Sequence, residues 1–366
     1  MNALTRRQAA AALALLGIAP VRAQVAPTMV DEFSRAALTG AGSTLAQPLI
    51  AAWSRDYTHQ RLGGTAMPTP NGGLDDDMGA RTLDYEAIGS AAGVQRLRLR
   101  AVDFAITEMP LTPDALRQHG WLPVPLVLSG VALAANLPGL GSAPLTLSGP
   151  VLAAVYGGEI THWSDARIAR LNPGLALPNA PIQVLHRSDG SGTTYVFTAY
   201  LGAASASWSE RVGSAMSVPW PVGTGQRGTS GMARAIARTP YAVGYLNAVE
   251  AMQARLSVAR LVNAAGQAVA PEVANVQAAA ESAPWDASQA YAQLVLNAPG
   301  TASYPVVATV YALLPAAAGA AATHAGQPAC RITECGLTAT PPLPWMTTCC
   351  TPPITTKPAT TPSTNA

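Results

Sequence analysis

Two spacings of apolar residues alternate along most of the chain. Short β-prone runs, such as 102–107 ("VDFAIT") and 181–187 ("PIQVLHR"), hold apolar residues either in succession or at every second position. Segments such as 194–201 ("TYVFTAYL") space theirs to line one side of a helix, and the change of period from two to 3.6 predicts strands followed by helices. The same order recurs at 82–99, a strand, a Gly/Ser turn and a helix start, and at 38–57, where glycine and hydroxyl residues open an apolar-periodic helix. A β-rich stretch at 123–139 and a helical one at 146–163 extend the series, while 63–80 is loop-like through its Gly, Pro, Asn and Asp content. Strand and helix in alternation predict an α/β protein with an open sheet. No internal repeat interrupts the pattern.

The two ends depart from it. Residues 1–23 carry Arg6 and Arg7, then an apolar run over 9–19, then Val21 and Ala23 before a cleavage point, which predicts an export signal followed by a linker at 24–37. The apolar run is too short to span a bilayer comfortably. Plain alanines after the arginine pair weaken a twin-arginine reading, and no cysteine lies near the cleavage point to take a lipid. From 316 to 366 the chain is rich in Ala, Thr, Pro and Cys, with Arg331, Glu334 and Lys357 as almost its only charges. Such a segment buries too little regular apolar surface to offset its ordering entropy, so 316–366 is expected to be disordered.

Composition narrows the function. The 366 residues suffice for two lobes, and 49% hydrophobic with 11% charged residues fit a globular chain. A formal net charge of +2 gives no dense basic stripe for nucleic acid, and Arg96, Arg98 and Arg100 read as a solvated face. All four cysteines (Cys330, Cys335, Cys349, Cys350) fall in the tail, which leaves the body without disulfide or thiol nucleophile. No second pair completes a zinc pattern, so neither metal nor cofactor is expected.

The chemistry gathers in three turns, "GAGST" (40–44), "GSAAG" (89–93) and "SDGSGT" (188–193), each placing small residues and a hydroxyl near a helix start. One such turn reads as ordinary capping. Three of them, with Arg187 beside the third, suit a tetrahedral oxyanion, because helix N–H groups and hydroxyls donate from several directions. Arg187 can take two oxygens at once, and a salt bridge to Asp189 is compatible as the means of holding it. Enzymatic patterns fit less well. "SDGSGTT" lacks the lysine of a nucleotide-binding phosphate loop, "GAGSTL" is not a G-x-S-x-G elbow, and His186 is expected to diverge from Ser191 instead of forming a dyad.

From Leu38 to about Leu314 the chain resembles the periplasmic phosphate-binding proteins of bacterial phosphate ABC importers, through "LTGAGSTLAQPLIAAW", "VDFAITEMPLT", "GEITHWSDARIARLNPG", "RSDGSGTTYVFTAYL" and "GQRGTSGMARAIARTPYAVGYL". The resemblance implies a two-lobed, type II-like periplasmic binding protein, each lobe a mixed sheet flanked by helices, joined by two hinge crossovers near 126–130 and 303–306. Lobe 1 would comprise 38–127 and 306–315, lobe 2 residues 128–305. It implies a monomeric, non-enzymatic periplasmic receptor that binds inorganic phosphate and delivers it to membrane permease subunits. Another tetrahedral oxyanion, or an exported phosphate-ester hydrolase reusing the cradle, is the alternative. Carried over by position, the ligands would be Thr44, the Leu45 N–H and Ser90 from the first lobe, with Arg187, Ser191, Gly192 and Thr193 from the second and Asp189 supporting Arg187.

Two departures stand out. The family's usual "SD" pair is Thr107–Glu108 here, and Leu45 stands where a phenylalanine is usual, so Glu108 would be the acceptor for the anion's own proton. Asp103 is a weaker candidate for that acceptor. Nothing after Leu314 resembles the family's terminal helices, a change of the kind that an out-of-frame reading of a GC-rich gene produces; the adjacent frame of the coding DNA tests this.

Overall fold

The computed structural model describes residues 38–61, 83–140, 143–286 and 291–316. The expected export signal, the linker and all but the first residue of the tail, with its four cysteines, lie outside the described residues. The strands are, in order, β1 (Leu38–Gly42), β2 (Leu83–Glu86), β3 (Phe104–Thr107) and the long β4 (Trp121–Ala135). Next come β5 (Thr146–Leu147), β6 (Gln183–Arg187), β7 (Thr224–Gln226) and β8 (Ala242–Asn247). Then β9 (Arg260–Val262), β10 (Ala268–Val269), β11 (Val295–Leu296) and β12 (Val306–Pro315) complete the set.

The main sheet has the order β2-β1-β3-β12-β4-β8-β6-β7, with β11 paired to β12, and a small sheet runs β10-β9-β5. β1 is parallel to β2 and β3, and β6 is parallel to β7 and β8. Antiparallel pairs of β12 with β3 and β4, and of β4 with β8, make the sheet mixed. The two halves run together through β4. Its residues from Trp121 to Gly130 pair with β12, and Val131 to Ala135 pair with β8. Pro123 and Pro125 lack the N–H that a regular ladder uses, and the β4–β12 register shifts between Val310 and Tyr311, beside this stretch.

Side-chain alternation decides which residues are covered on each face. On β3, Phe104 and Ile106 join Leu45 and Ile50 on one side, while Ala105 faces Val94, Leu97 and Trp121 on the other. All four β3 residues are buried, as expected for an interior strand, between β1 and β12, with helices over both faces. The larger core lies in the second half around Trp163, Tyr156, Phe197, Tyr200 and Tyr245. Tyr304 belongs to it as well, and its hydroxyl donates to the Val131 carbonyl at 2.9 Å, linking the start of β12 to β4. Buried phenols of this kind combine a large apolar surface with one fixed polar end. Among the described residues no helix is long and apolar enough to cross a membrane.

Candidate functional site

Parallel strands bring their carboxyl ends to one edge of a sheet, and the loops that leave those ends are where α/β proteins hold ligands. β1, β2 and β3 deliver Ser43–Thr44, Gly89–Ser90 and Glu108 to one such edge; β6 and β7 deliver Ser188–Ser191 and Gly228–Thr229 to another. The two edges face each other. Arg187 Nη2 donates across the gap to Thr44 Oγ1 at 3.3 Å, the Ala91 N–H donates to the Gly190 carbonyl at 3.1 Å, and Thr44 Oγ1 lies 2.7 Å from Thr229 Oγ1.

The "SDGSGT" turn follows β6, and Gly192–Ala204 forms a helix that Ser191 caps by accepting from the Thr194 N–H at 3.3 Å. Its opening N–H groups, at Gly192 and Thr193, have no intrahelical acceptor and are the donors this end of the helix presents. The Ser191 N–H instead donates to the Met216 carbonyl at 2.9 Å. Gly192 is required by proximity: a Cβ there would lie 1.9 Å from Glu108 Oε2 and 2.7 Å from the Glu108 backbone nitrogen. Gly89 is required by conformation and proximity together, since its φ is +96° and a Cβ would lie 2.9 Å from Asp189 Oδ2.

Arg187 is buried, at 5% exposure, and Asp189 grips it bidentately, with Nε donating to Oδ1 at 2.7 Å and Nη2 donating to Oδ2. The Gly228 N–H also donates to Asp189 Oδ1, at 3.0 Å. Burial works to raise the Asp189 carboxyl, but the Arg187 hydrogen bonds and charge outweigh it and hold the group below the usual aspartate range. Tyr245, in β8, accepts from the Arg187 backbone N–H at 3.1 Å and shares a hydrogen bond with Thr194 Oγ1 at 2.7 Å. One buried phenol therefore fixes both the guanidinium-bearing strand and the following helix.

Glu108 is 1% exposed. Ser43 Oγ donates to its Oε1, and Ser90 Oγ, on the first residue of the helix Ser90–Arg98, donates to its Oε2 at 2.8 Å. Burial raises the Glu108 carboxyl above its ordinary value, while the two serine hydroxyls and the Arg187 charge act in the opposite direction. The Tyr85 hydroxyl, which donates to the Ser43 carbonyl at 2.9 Å, is raised by its own burial and then by the Glu108 charge.

A carboxyl with a raised folded pKa binds more protons folded than unfolded. Its contribution to stability is therefore present below the ordinary glutamate range and is lost as pH rises through the folded pKa. Glu108→Gln is expected to gain stability relative to the parent as pH rises from about 4 to about 8. Thermal melts across that range check it, and a difference that stays constant with pH refutes it.

Leu45 donates its N–H to Ser43 Oγ at 3.1 Å and packs its side chain with Ile50 and Phe104. Asp103 accepts from the Thr39 N–H at 2.7 Å and hydroxyl at 2.8 Å, at an exposed position away from Glu108. His186 stacks on Trp220 with ring centroids 4.9 Å apart, and its Nδ1 lies 3.0 Å from the Arg187 carbonyl, so it diverges from Ser191. Arg96 pairs with Glu86 at 2.5 Å, and Arg98 and Arg100 are exposed, which is the solvated face expected of that cluster. Local sequence pattern does not mark Ser43, Tyr245, Gly228 or Thr229 as parts of the site. The hydrogen bonds that tie them into the site, to Glu108, Arg187, Asp189 and Thr44, reach partners 39 to 185 residues distant in the chain, beyond local pattern.

Residues 27–326 match the PBP superfamily domain. The chain is 35% identical over 288 residues to the phosphate-binding protein PstS of Xylella fastidiosa, covering 79% of this chain and 74% of that one. It is 36% identical over 277 residues to PstS of Pasteurella multocida, covering 76% and 75%. In fold it is similar to a high-affinity periplasmic phosphate-binding protein (PfluDING), with a TM-score of 0.55, 23% identity and coverage of 76% and 80%. A putative phosphate ABC transporter substrate-binding protein from Clostridium perfringens gives a TM-score of 0.52 at 18% identity, covering 76% and 86%.

Proposed function

Because the chain belongs to the PstS phosphate-binding proteins of the PBP superfamily, we propose that it captures inorganic phosphate and delivers it to an ABC phosphate importer. The observation that carries this reading is the convergence of three glycine-bearing turns, remote in sequence, at one place, with Arg187 reaching Thr44 across the gap. The relatives are phosphate-binding proteins, and binding requires no chemical step of the site. It is a receptor.

The binding would proceed by donation from all sides. Thr44, the N–H groups of Ser90, Gly192 and Thr193, and the Arg187 guanidinium surround the anion, each charge-assisted hydrogen bond contributing about 1.5–3 kcal/mol against the cost of dehydrating the ion. Asp189 neutralises Arg187 and keeps its fork aimed, so selectivity rests on geometry and proton count more than on net charge. Glu108 would accept the hydrogen bond of the anion's own O–H. A fully ionised sulfate has no proton to give and would confront the carboxylate with like charge.

Residues 38–127 with 306–315 would form one lobe and 128–305 the other, closing about β4 and β12. The leader at 1–23 would direct export to the periplasm, where the chain would act as a monomer and pass phosphate to membrane permease subunits. Equilibrium binding of labelled phosphate, with sulfate and arsenate as competitors, tests the reading. Sulfate is expected to bind at least about 100-fold more weakly than phosphate. Comparable affinities would remove the role given to Glu108, and absence of phosphate binding would remove the function.

A further inference from the structure

Thr44 Oγ1 is the atom at which the two halves of the site meet, and its hydrogen-bond capacity is limited. A threonine hydroxyl has one proton and two lone pairs, whereas a guanidinium only donates. The contact from Arg187 Nη2 at 3.3 Å therefore uses one lone pair of Thr44. Thr229, 2.7 Å away, can either take the Thr44 proton or fill the second lone pair. Thr229 is the second residue of the helix Gly228–Arg238 and is only 4% exposed, so solvent competes weakly for its hydroxyl. The adjacent Gly228 N–H donates to Asp189, the same carboxylate that holds Arg187, which locks Thr229 in register with the guanidinium.

Resting on the phosphate reading above, we propose that Thr229 donates to Thr44, filling its second lone pair and leaving the single Thr44 proton to point at the bound oxyanion. Thr229 is then a positioning residue of the site, acting through Thr44. The proton direction follows from relative strength. A hydrogen bond to an anionic oxygen is roughly twice as strong as one between two neutral hydroxyls, so an anion beside Arg187 draws the Thr44 proton to itself. Donation from Thr229 and from Arg187 then polarises the Thr44 hydroxyl in the same sense and strengthens it as a donor.

The test titrates phosphate into the full chain and the variants Thr229→Val, Thr229→Ala, Thr229→Ser, Thr44→Val and Thr44→Val/Thr229→Val. Thr229→Val and Thr229→Ala are expected to weaken phosphate about three- to tenfold, the loss of one neutral hydrogen bond, with melting points of the ligand-free variants near that of the parent. Thr229→Ser, which keeps the hydroxyl, should restore the parent affinity. In the Thr44→Val background, Thr229→Val should cost nothing further, because the proton it positions is gone. The inference is overturned if Thr229→Val and Thr229→Ala bind phosphate like the parent, or if their penalty persists undiminished without the Thr44 hydroxyl. Failure of the underlying reading shows separately, as a parent chain that does not bind phosphate.

Discussion

Arg187→Met weakens phosphate binding by on the order of 10²–10³-fold in an isothermal titration, the largest loss expected from any single substitution in the site. The guanidinium is buried, donating two hydrogen bonds to Asp189 on one side and reaching Thr44 on the other. Methionine fills similar volume yet removes the positive charge and all the donors. Two costs add. The anion loses its charge-assisted contacts, and Asp189 is left with backbone N–H donors, that of Gly228 among them, as a half-buried carboxylate facing an incoming anion. Breaking one partner from a fully buried pair costs about 3–5 kcal/mol, and the solvent that still reaches Asp189 reduces that cost here. Arg187→Lys restores the charge but supplies a point donor in place of a planar fork, so its affinity should lie between parent and Arg187→Met. An Arg187→Met dissociation constant within about fivefold of the parent would show that the anion is held elsewhere.

Gly192→Ala is the second large effect, and its cause is steric. A methyl group at Gly192 would lie 1.9 Å from Glu108 Oε2, 2.7 Å from the Glu108 backbone nitrogen and 2.9 Å from its Cβ. The side-chain oxygen can swing away, but the backbone nitrogen cannot move without shifting the end of β3. Because Glu108 and Gly192 belong to opposite halves, relief comes most readily by keeping the halves apart. Overpacking of this kind costs about 1–3 kcal/mol; under the proposed closure of the two lobes it falls on the closed state and lowers phosphate affinity by roughly 10–100-fold. Titration should show the weaker binding, and small-angle scattering with saturating phosphate should show less compaction than in the parent. Gly231→Ala is the matched control, since a Cβ there meets nothing within 4 Å and alanine favours the helix it occupies. A Gly192→Ala protein that compacts and binds like the parent removes the close approach from the account.

The legible parts of the molecule were those governed by local spacing. β6 and the helix after it were marked by a change of period at "SDGSGT", and the apolar run of β3 announced a buried strand. The resemblance extended this to Thr44, Ser90, Glu108 and Arg187, which the fold brings to facing edges. Less legible was how the hydroxyls are shared. Ser43 stands one residue before Thr44 and looks equivalent to it in the turn, yet it turns to Glu108 while Thr44 turns to Arg187 and Thr229. Thr229 sits in a recognisable stretch, "GQRGTSGMARA", but nothing in its neighbours indicates a partner at position 44.

The amino-acid sequence by itself determined the alternation of strand and helix, the glycines without which the turns could not approach one another, and the chemical class of ligand those turns suit. These are properties of neighbouring residues, read from periodicity and from which side chains a backbone conformation permits. Only the tertiary structure decided which donor serves which acceptor: that β4 changes partners from β12 to β8, that Tyr245 pins Arg187, and that Thr44 meets Thr229. The reason is the direction and range of the hydrogen bond. It acts over about 3 Å and along a narrow cone, so its partner is set by where the packed sheets bring the chain, which no count of positions along it contains.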